Sequence, residues 1–276
     1  MLEIPESQTI SRQLRETIGG SIITKVEAAA SPHGFAWYFG DPADYPRLLT
    51  GKRVEDVAAM AGYVEIRAEE TRLVFHDGVN VRYLAAQVKA PLRHQLYVSF
   101  ADGGQIVCTV QMYGGLLAFP AGAHDNYYYR VAKEKPSPLS GAFDEAYFTR
   151  LFTESSPKLS LKAFLATEQR IPGLGNGCLQ DILFQARLHP QSKLSSLNEE
   201  DMRLLFSSLK KTLAAMTKQG GRDTEKDLFG RAGGYKTILS AKTVKDPCPV
   251  CGGAIIRKAY LGGNIYFCPH CQYHDK

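Results

Sequence analysis

Four cysteines near the C-terminal end of the chain have the spacing of a metal site. Cys248 and Cys251 form one CxxC pair, Cys268 and Cys271 form another, and sixteen residues separate the two pairs. Two such pairs on tight turns can direct four thiolates at one ion, and this shell is typical of structural zinc. A closed four-thiolate shell leaves no position for a substrate. The spacing therefore predicts one structural Zn²⁺, with a redox-active cysteine pair as the alternative interpretation.

A second stretch, QRIPGLGN at positions 169–176, has the composition of an anion-binding turn between two helices. Gly173 and Gly175 permit positive φ and the close approach of another backbone, and Asn176 can cap the helix that follows. The N–H groups at the start of a helix favour anions. The same residues also fit an ordinary glycine turn between packed helices, so the pattern alone leaves both interpretations open.

The charge of the chain is distributed unevenly. The net charge is +5, but residues 1–149 carry a net −3 and residues 150–276 a net +8. A basic second half favours a polyanionic partner, although a solvated basic face would look the same. There is no apolar run long enough to cross a bilayer, and the first eleven residues lack the basic start and apolar middle of a signal peptide. We therefore expect a cytoplasmic protein with reduced cysteines.

The hydrophobic periodicity changes along the chain and predicts a multidomain α+β fold. Residues 1–18 have helical spacing, and residues 21–120 contain short alternating runs typical of an antiparallel β-sandwich or barrel. Residues 132–140, with two prolines, have the composition of a linker. Helical spacing then returns in four segments, at residues 143–153, 159–167, 177–186 and 199–217.

Three separate motifs together resemble the formamidopyrimidine-DNA glycosylase and endonuclease VIII family. They are the start MLEIPE, the segment EQRIPGLGN…DILFQARLHP, and the ending CPVCGGAI…CPHCQ. The resemblance covers nearly the whole chain. It implies an N-terminal helix with a β-sandwich over residues 1–131, a linker over 132–140, a helix–two-turns–helix DNA-binding domain over 141–243, and a zinc-ribbon hairpin over 244–276.

Enzymes of that family bend duplex DNA and extrude a damaged base into a pocket. The resemblance implies that Asn176 and the loop amides around Gly175 contact phosphates beside the lesion, with Lys162 as a further candidate. Residues 220–235 occupy the place of the loop that closes over the extruded base. The space left in the duplex is expected to be filled from the segment Gln111, Met112 and Tyr113. An apolar or aromatic wedge is suited to that role, although core packing is the alternative for Met112.

The chain departs from the family pattern at its expected nucleophile. Family enzymes begin Met-Pro-Glu, and the proline nitrogen, freed by removal of the methionine, attacks the sugar C1′. The second residue here is Leu2, which is not small enough for methionine removal. The Leu2 nitrogen therefore lies in a peptide bond, where its lone pair is delocalised, and it cannot act as a nucleophile. The family's strand lysine and zinc-hairpin arginine are also replaced, by Gly62 and Gly263.

Two acidic residues of the family pattern are retained. Glu3 matches the general acid that protonates the sugar oxygen or the leaving base, and Glu6 lies in the same helical turn. Both are candidate catalytic residues. The alternative is that they only favour the positive end of the first helix.

These observations lead to one main hypothesis and two alternatives. The chain is expected to be a monomeric, zinc-containing protein that binds damaged or abasic double-stranded DNA without the usual abasic-site (AP) lyase nucleophile. The first alternative is an active DNA glycosylase and AP lyase that uses Glu3 with a water or the amine of Met1. The second is a non-catalytic module that binds RNA or a protein.

Overall fold

The structure, a computed structural model, describes residues 1–272 of the 276, and it divides into two compact units. The first unit comprises Met1–Lys133 together with Glu225–Gly233. The second comprises Glu134–Thr224 and Gly234–Lys276. Among the described residues, none of the helices has the length and apolar character needed to cross a membrane.

The first unit begins with helix α1, Ile4–Ile18, as the periodicity predicts. Pro5 lies in its first turn, where a missing N–H costs nothing because that group has no partner within the helix. Ile10, Leu14 and Ile18 recur every fourth residue and are buried against the sheet. The apolar face of α1 therefore closes one side of the core.

Seven strands form the sheet of the first unit, in the hydrogen-bonded order β1-β6-β7-β5-β4-β3, with the short β2 parallel to β7. All other pairings are antiparallel, as predicted. The edge strands β1 and β3 meet at a bridge between Ile22 and Arg53, so the sheet folds back on itself and encloses the core. The strands are β1 Ile23–Ala28, β2 Ala36–Trp37, β3 Val54–Met60, β4 Tyr63–Ala68, β5 Thr71–Leu84, β6 Leu96–Phe100 and β7 Gln105–Pro120. Two short helices complete the unit, α2 Tyr45–Leu49 and α3 Tyr127–Glu134; α3 includes residues 132–134 of the predicted linker.

A bulge interrupts the pairing of β5 with β7. Asp77 pairs with Gly114 and Val79 with Val110, so the three residues 111–113 lie opposite Gly78 alone. A Cβ atom at Gly78 would lie 2.2 Å from the carbonyl oxygen of residue 111 and 2.4 Å from that of residue 113. Only glycine fits this contact. The extra residues bend the strand outward, as bulges do, and expose residue 112.

Four α-helices in the described part of the second unit match the predicted helical segments to within about two residues at most ends. Aromatic side chains pack between these helices. The ring centroid of Phe148 lies 6.2 Å from that of Phe164 and 5.6 Å from that of Phe206. The last helix starts with a capping box in which Asn198 and Asp201 each bond the other's backbone N–H. The helices are α4 Glu145–Arg150, α5 Leu161–Ala166, α6 Asn176–Gln185 and α7 Glu199–Lys218.

A two-stranded hairpin near the end of the chain completes the second unit. Strands β8, Ile256–Tyr260, and β9, Gly263–Phe267, pair antiparallel. The two residues between them, Leu261 and Gly262, have φ of 46° and 71°. Positive φ at both positions is the signature of a type I′ turn. The hairpin that the resemblance implies within residues 244–276 is therefore confirmed.

A buried carboxylate ties α6 to the segment that leads into this hairpin. Asp181 is fully buried, and its two oxygens accept the backbone N–H groups of Ile238 and Leu239 at 2.9 Å and 2.8 Å. Burial raises the pKa of Asp181 to about 6, although these hydrogen bonds favour the ionised form. The carboxylate thus fixes the backbone at the cost of removing a charge from water.

This raised pKa gives a prediction about stability and pH. The folded pKa of about 6 lies above the unfolded value of about 3.9. The folded state therefore holds the proton more tightly, and the contribution of Asp181 to stability is lost as pH rises through the folded pKa. Relative to Asp181→Asn, whose side chain does not titrate, the unfolding free energy of the parent should fall by about 1 kcal/mol between pH 5 and pH 7. Urea unfolding of both proteins measures this, and a constant difference would contradict it.

Candidate metal centre and nucleic-acid interface

The four cysteines of the two CxxC pairs converge on one point in the second unit. Their sulfur atoms all lie within 4.8 Å of one another. The Sγ atoms of Cys248 and Cys271 are 3.7 Å apart, and those of Cys251 and Cys268 are 3.4 Å apart. A tetrahedron with Zn–S bonds of about 2.3 Å has sulfurs about 3.8 Å apart. The thiolates therefore fit one Zn²⁺, and they form the structural zinc site that the spacing predicts.

The zinc site is joined to α6 through hydrogen bonds and an apolar layer. Gln180 of α6 accepts the N–H of Tyr266 in β9 at 3.0 Å. Gln272 accepts the N–H of Cys268 and donates to the carbonyl of Leu188, both at 2.9 Å. The surrounding apolar cluster contains Phe184, Leu239, Ile255 and Tyr266. The orientation of the hairpin is therefore set by α6 as well as by the metal.

Asn176 lies at the start of α6 in a role that differs from the prediction. The prediction that it caps the helix is wrong, because Gly175 holds the cap position and Asn176 is the first helical residue. Its side-chain amide donates to the carbonyl of Asn264 at 2.9 Å, and its side-chain oxygen accepts from Gln180 at 3.1 Å. Gly175 has no side chain with which to cap the first turn of α6, and the Asn176 side chain is engaged with the hairpin and Gln180 instead.

Lys162 lies beside this contact, on α5. Its side chain is buried, and its ammonium donates to the carbonyl of Tyr260 at 2.5 Å. Burial lowers its pKa. A Cβ atom at Gly263 would lie 3.6 Å from the Lys162 nitrogen and 3.5 Å from the amide nitrogen of Asn176. Gly263, the position of the family's arginine, thus lies directly beside an ammonium and an amide, and we call these three residues the Lys162 cradle.

In the first unit, the nitrogen at the family's nucleophile position is a buried amide. The Leu2 N–H donates to the carbonyl of Asp77 at 2.8 Å, and the Leu2 side chain is packed into the core. The amine of Met1 lies 2.5 Å from a carboxylate oxygen of Glu225. Glu225 begins the segment 225–233, which Gln13 and Arg82 also hold by hydrogen bonds to Asp227.

The two retained acidic residues lie at the start of α1. Glu3 precedes the helix and Glu6 lies in its first turn, and each is less than 5% exposed. The position of the missing lysine, Gly62, lies in the turn between β3 and β4. Two lysines of the first unit that could in principle replace it are engaged in ion pairs: Lys25 pairs with Glu27 at 2.6 Å, and Lys52 pairs with Glu70.

The predicted wedge residues lie on the bulge opposite Gly78. Met112 is 69% exposed at a φ of 66°, and Tyr113 is 37% exposed. Core packing, the alternative for Met112, is therefore wrong. Gln111 is also exposed. The sequence does not predict that the exposed aromatic residues Phe35 and Trp37 lie beside this bulge. It also does not predict the ion pair between Glu225 and the Met1 amine. The only feature of the sequence that draws attention to this site is that Trp37 is the sole tryptophan. The exposure of Phe35 and Trp37 depends on the pairing of β2 with β7, which is distant in sequence.

Comparison with known proteins agrees with this arrangement. Residues 1–112 match the formamidopyrimidine-DNA glycosylase N-terminal domain, and residues 135–227 match the formamidopyrimidine-DNA glycosylase H2TH domain. The chain belongs to the formamidopyrimidine-DNA glycosylase family. Within that family, the formamidopyrimidine-DNA glycosylase of Brevibacillus brevis is 29% identical over 281 residues, covering 99% of each chain.

Solved structures of formamidopyrimidine-DNA glycosylases have the same fold. The MutM (Fpg) protein of Thermus thermophilus superposes with a TM-score of 0.81 at 26% identity, covering 99% of this chain and 100% of that one. The Lactococcus lactis Fpg in complex with DNA containing N7-benzyl-Fapy-dG gives a TM-score of 0.82 at 26% identity, covering 98% and 99%. A further Lactococcus lactis Fpg structure, with abasic-site DNA, gives 0.82 at 25%.

The zinc site yields a direct prediction. Cys268→Ser should lose the metal, because three thiolates and a hydroxyl bind zinc far more weakly, and the apparent binding energy of such sites is about 10–16 kcal/mol. The hairpin should then unfold and DNA binding should weaken. Elemental analysis of protein purified without chelators should give one zinc per chain for the parent and less for the variant. Cys108→Ala, in the first unit, is the control and should keep one zinc; a parent without metal would contradict the prediction.

Proposed function

We propose that this protein binds damaged or abasic double-stranded DNA and does not form the Schiff base of an AP lyase. The DNA complexes of the Lactococcus lactis relatives support the ligand class, since those proteins are seen with Fapy-dG and abasic-site DNA. The net +8 over residues 150–276 supports it independently, because cations near phosphates release counterions on binding.

The observation that carries the second half of the proposal is the Leu2 amide. Its nitrogen is part of a peptide bond and its N–H is already donated to Asp77. An amide nitrogen cannot attack C1′, because its lone pair is delocalised over the carbonyl. The amine of Met1 lies one residue before this nitrogen in the chain, and it is paired with Glu225. Moving it to a sugar would break that ion pair.

The Lys162 cradle supports phosphate binding by the second unit. A buried ammonium interacts more strongly with an anion than an exposed one, because less water screens it. Asn176 holds β9 against α6 through Asn264, so it positions one wall of the cradle. Gly263 lies where the family's arginine would be, within van der Waals range of the Lys162 ammonium and the Asn176 amide.

A second candidate function is base excision by hydrolysis without strand cleavage. It is favoured by the retention of Glu3 and Glu6 as buried carboxyl groups at the first turn of α1. A carboxylate can activate a water for attack on C1′, and a carboxylic acid can protonate the leaving base. This chemistry needs no amine. It would leave an intact abasic strand that breaks only on later treatment with alkali.

The phosphate contacts predict distinct effects on DNA affinity. Asn176→Ala should weaken binding to all duplexes by about 1–3 kcal/mol, since a contact to phosphate is lost. Lys162→Met keeps the length of the side chain and removes its charge. It should reduce the slope of log affinity against log salt by about 0.9, the value for one phosphate contact. Fluorescence anisotropy at several salt concentrations measures both effects.

Zinc content and unfolding midpoints of these variants serve as controls, since both residues also contact the hairpin. If Lys162→Met binds more weakly with an unchanged slope, Lys162 only supports Tyr260. If Asn176→Ala binds as the parent does, Asn176 contacts no phosphate.

The missing nucleophile predicts that borohydride traps no covalent product between the parent protein and abasic duplex DNA. Leu2→Pro should allow removal of Met1 and expose a secondary amine next to Glu3. We expect only weak trapping by this variant, because the lysine and arginine replaced by Gly62 and Gly263 would still be absent. Gel electrophoresis and mass spectrometry detect the adduct, and Lactococcus lactis Fpg is the positive control.

A stoichiometric adduct of the parent mapped to residue 1 or 2 would show that the proposal is wrong. In the same reactions, strand breaks on lesion-containing duplex that appear only after alkali would support hydrolytic excision, whereas intact strands would support binding alone.

A further inference from the structure

Exposed aromatic residues of β7 and of the neighbouring strand β2 lie beside the bulge of β7. Phe35 is 64% exposed, Trp37 is 49% exposed and Tyr113 is 37% exposed, beside Met112 at 69%. All four lie in the first unit. Large apolar side chains grouped on a surface mark a binding site more often than chance exposure does. We call Phe35, Trp37 and Tyr113 the aromatic platform.

The platform is held rigidly by backbone pairing. Strand β2 lies parallel to β7, with Trp37 opposite Gly115, and the N–H of Gly114 donates to the carbonyl of Phe35 at 3.0 Å. The ring centroids of Trp37 and Tyr113 are 5.9 Å apart with an interplanar angle of 32°. The two rings are therefore tilted relative to one another, and both residues remain partly exposed to solvent.

A polar pair borders the platform. The ring of His76 lies 6.5 Å from that of Trp37, and its Nδ1 lies 2.9 Å from a carboxylate oxygen of Asp77. The Asp77 side chain is 43% exposed. A carboxylate beside a flat apolar ring can accept hydrogen bonds from the amino group of a stacked base. Such a combination of aromatic faces and base-edge acceptors suits a nucleobase better than a lipid or an apolar peptide.

We propose that the aromatic platform stacks unpaired DNA bases, so that the preferred ligand is DNA with unpaired nucleotides next to the site of damage. This rests on the proposed DNA-binding function, and the platform is continuous with the predicted wedge at Met112 and Tyr113. In a paired duplex the base faces are already stacked on their neighbours and are closed to Trp37. In a bubble or a single strand they are open, and stacking on aromatic rings is favourable for any base.

The chain contains a built-in reporter for this contact, because Trp37 is its only tryptophan. The full-length protein is titrated with three DNAs of one sequence: a single strand, a duplex with a short central bubble, and a fully paired duplex. The single strand and the bubble should quench tryptophan fluorescence in a saturable manner. The fully paired duplex should quench it much less at the same occupancy, as judged by anisotropy of a dye on the DNA.

Variants separate stacking from other contacts. Trp37→Ala should weaken binding to the bubble by ~10-fold, the change equivalent to about 1.4 kcal/mol and within the range for one stacked base. Trp37→Tyr, which keeps an aromatic face, should recover most of that loss. Binding of the fully paired damaged duplex should change by about twofold or less. Leu92→Ala is the matched control, since Leu92 is 87% exposed on the same unit and lies away from the platform in sequence and on a different loop.

The outcomes distinguish this inference from the function on which it rests. If the parent binds damaged duplex but gains nothing from unpaired bases, and Trp37→Ala behaves as the parent, the platform is not a stacking site. If the parent binds no form of DNA, the proposed function itself is wrong. If Leu92→Ala weakens bubble binding as much as Trp37→Ala does, the effect is one of general surface apolarity and the inference also fails.

Discussion

The backbone bulge at Asp77 and Gly78 brings the start of the chain, the exposed turn of β7 and the His76 ring to one part of the first unit. The carbonyl of Asp77 accepts the Leu2 N–H, and its carboxylate lies against His76. Gly78 permits the backbone at residues 111 and 113 to approach within a distance that no Cβ would allow. A side chain at position 78 would therefore displace residues 111–113 of β7 and disturb β5, the strand whose Asp77 carbonyl accepts the Leu2 N–H.

The hydrogen bond from the Leu2 N–H to the Asp77 carbonyl holds the start of α1 in place. It does so although the nitrogen of residue 2 is not a nucleophile. Anchoring Leu2 to β5 fixes Glu3 and Glu6 at the buried start of the helix. The peptide bond to Met1, and not this hydrogen bond, removes the residue-2 nitrogen from any role in covalent chemistry. Helix α1 and its two acidic residues therefore keep their positions, although the nitrogen at the family's nucleophile position is an amide nitrogen.

In the second unit, α6 has the organising role. Its polar face presents Asn176 and Gln180 to the backbone of β9, and Asp181 to the segment before the zinc hairpin. Zinc closes the hairpin upon itself, and these hydrogen bonds, together with that from Lys162 to Tyr260, help to fix where the hairpin lies relative to Lys162. A four-thiolate site can therefore be purely structural and still contribute to the shape of the Lys162 cradle.

Local patterns in the sequence determined the zinc ligands, the hairpin turn, the N-terminal helix and the peptide-bonded nitrogen of Leu2. Each depends on residues within a few positions of one another, for which spacing and backbone chemistry are sufficient. The tertiary structure alone decided that Gly175 rather than Asn176 caps α6, that Met112 is exposed, that Glu225 holds the Met1 amine, and that Trp37 lies beside Tyr113. These features depend on partners that are distant in sequence, such as Asn264 for Asn176 and β7 for Trp37. A single sequence carries no periodic signal for such pairings, because their register is set by how whole strands and helices pack.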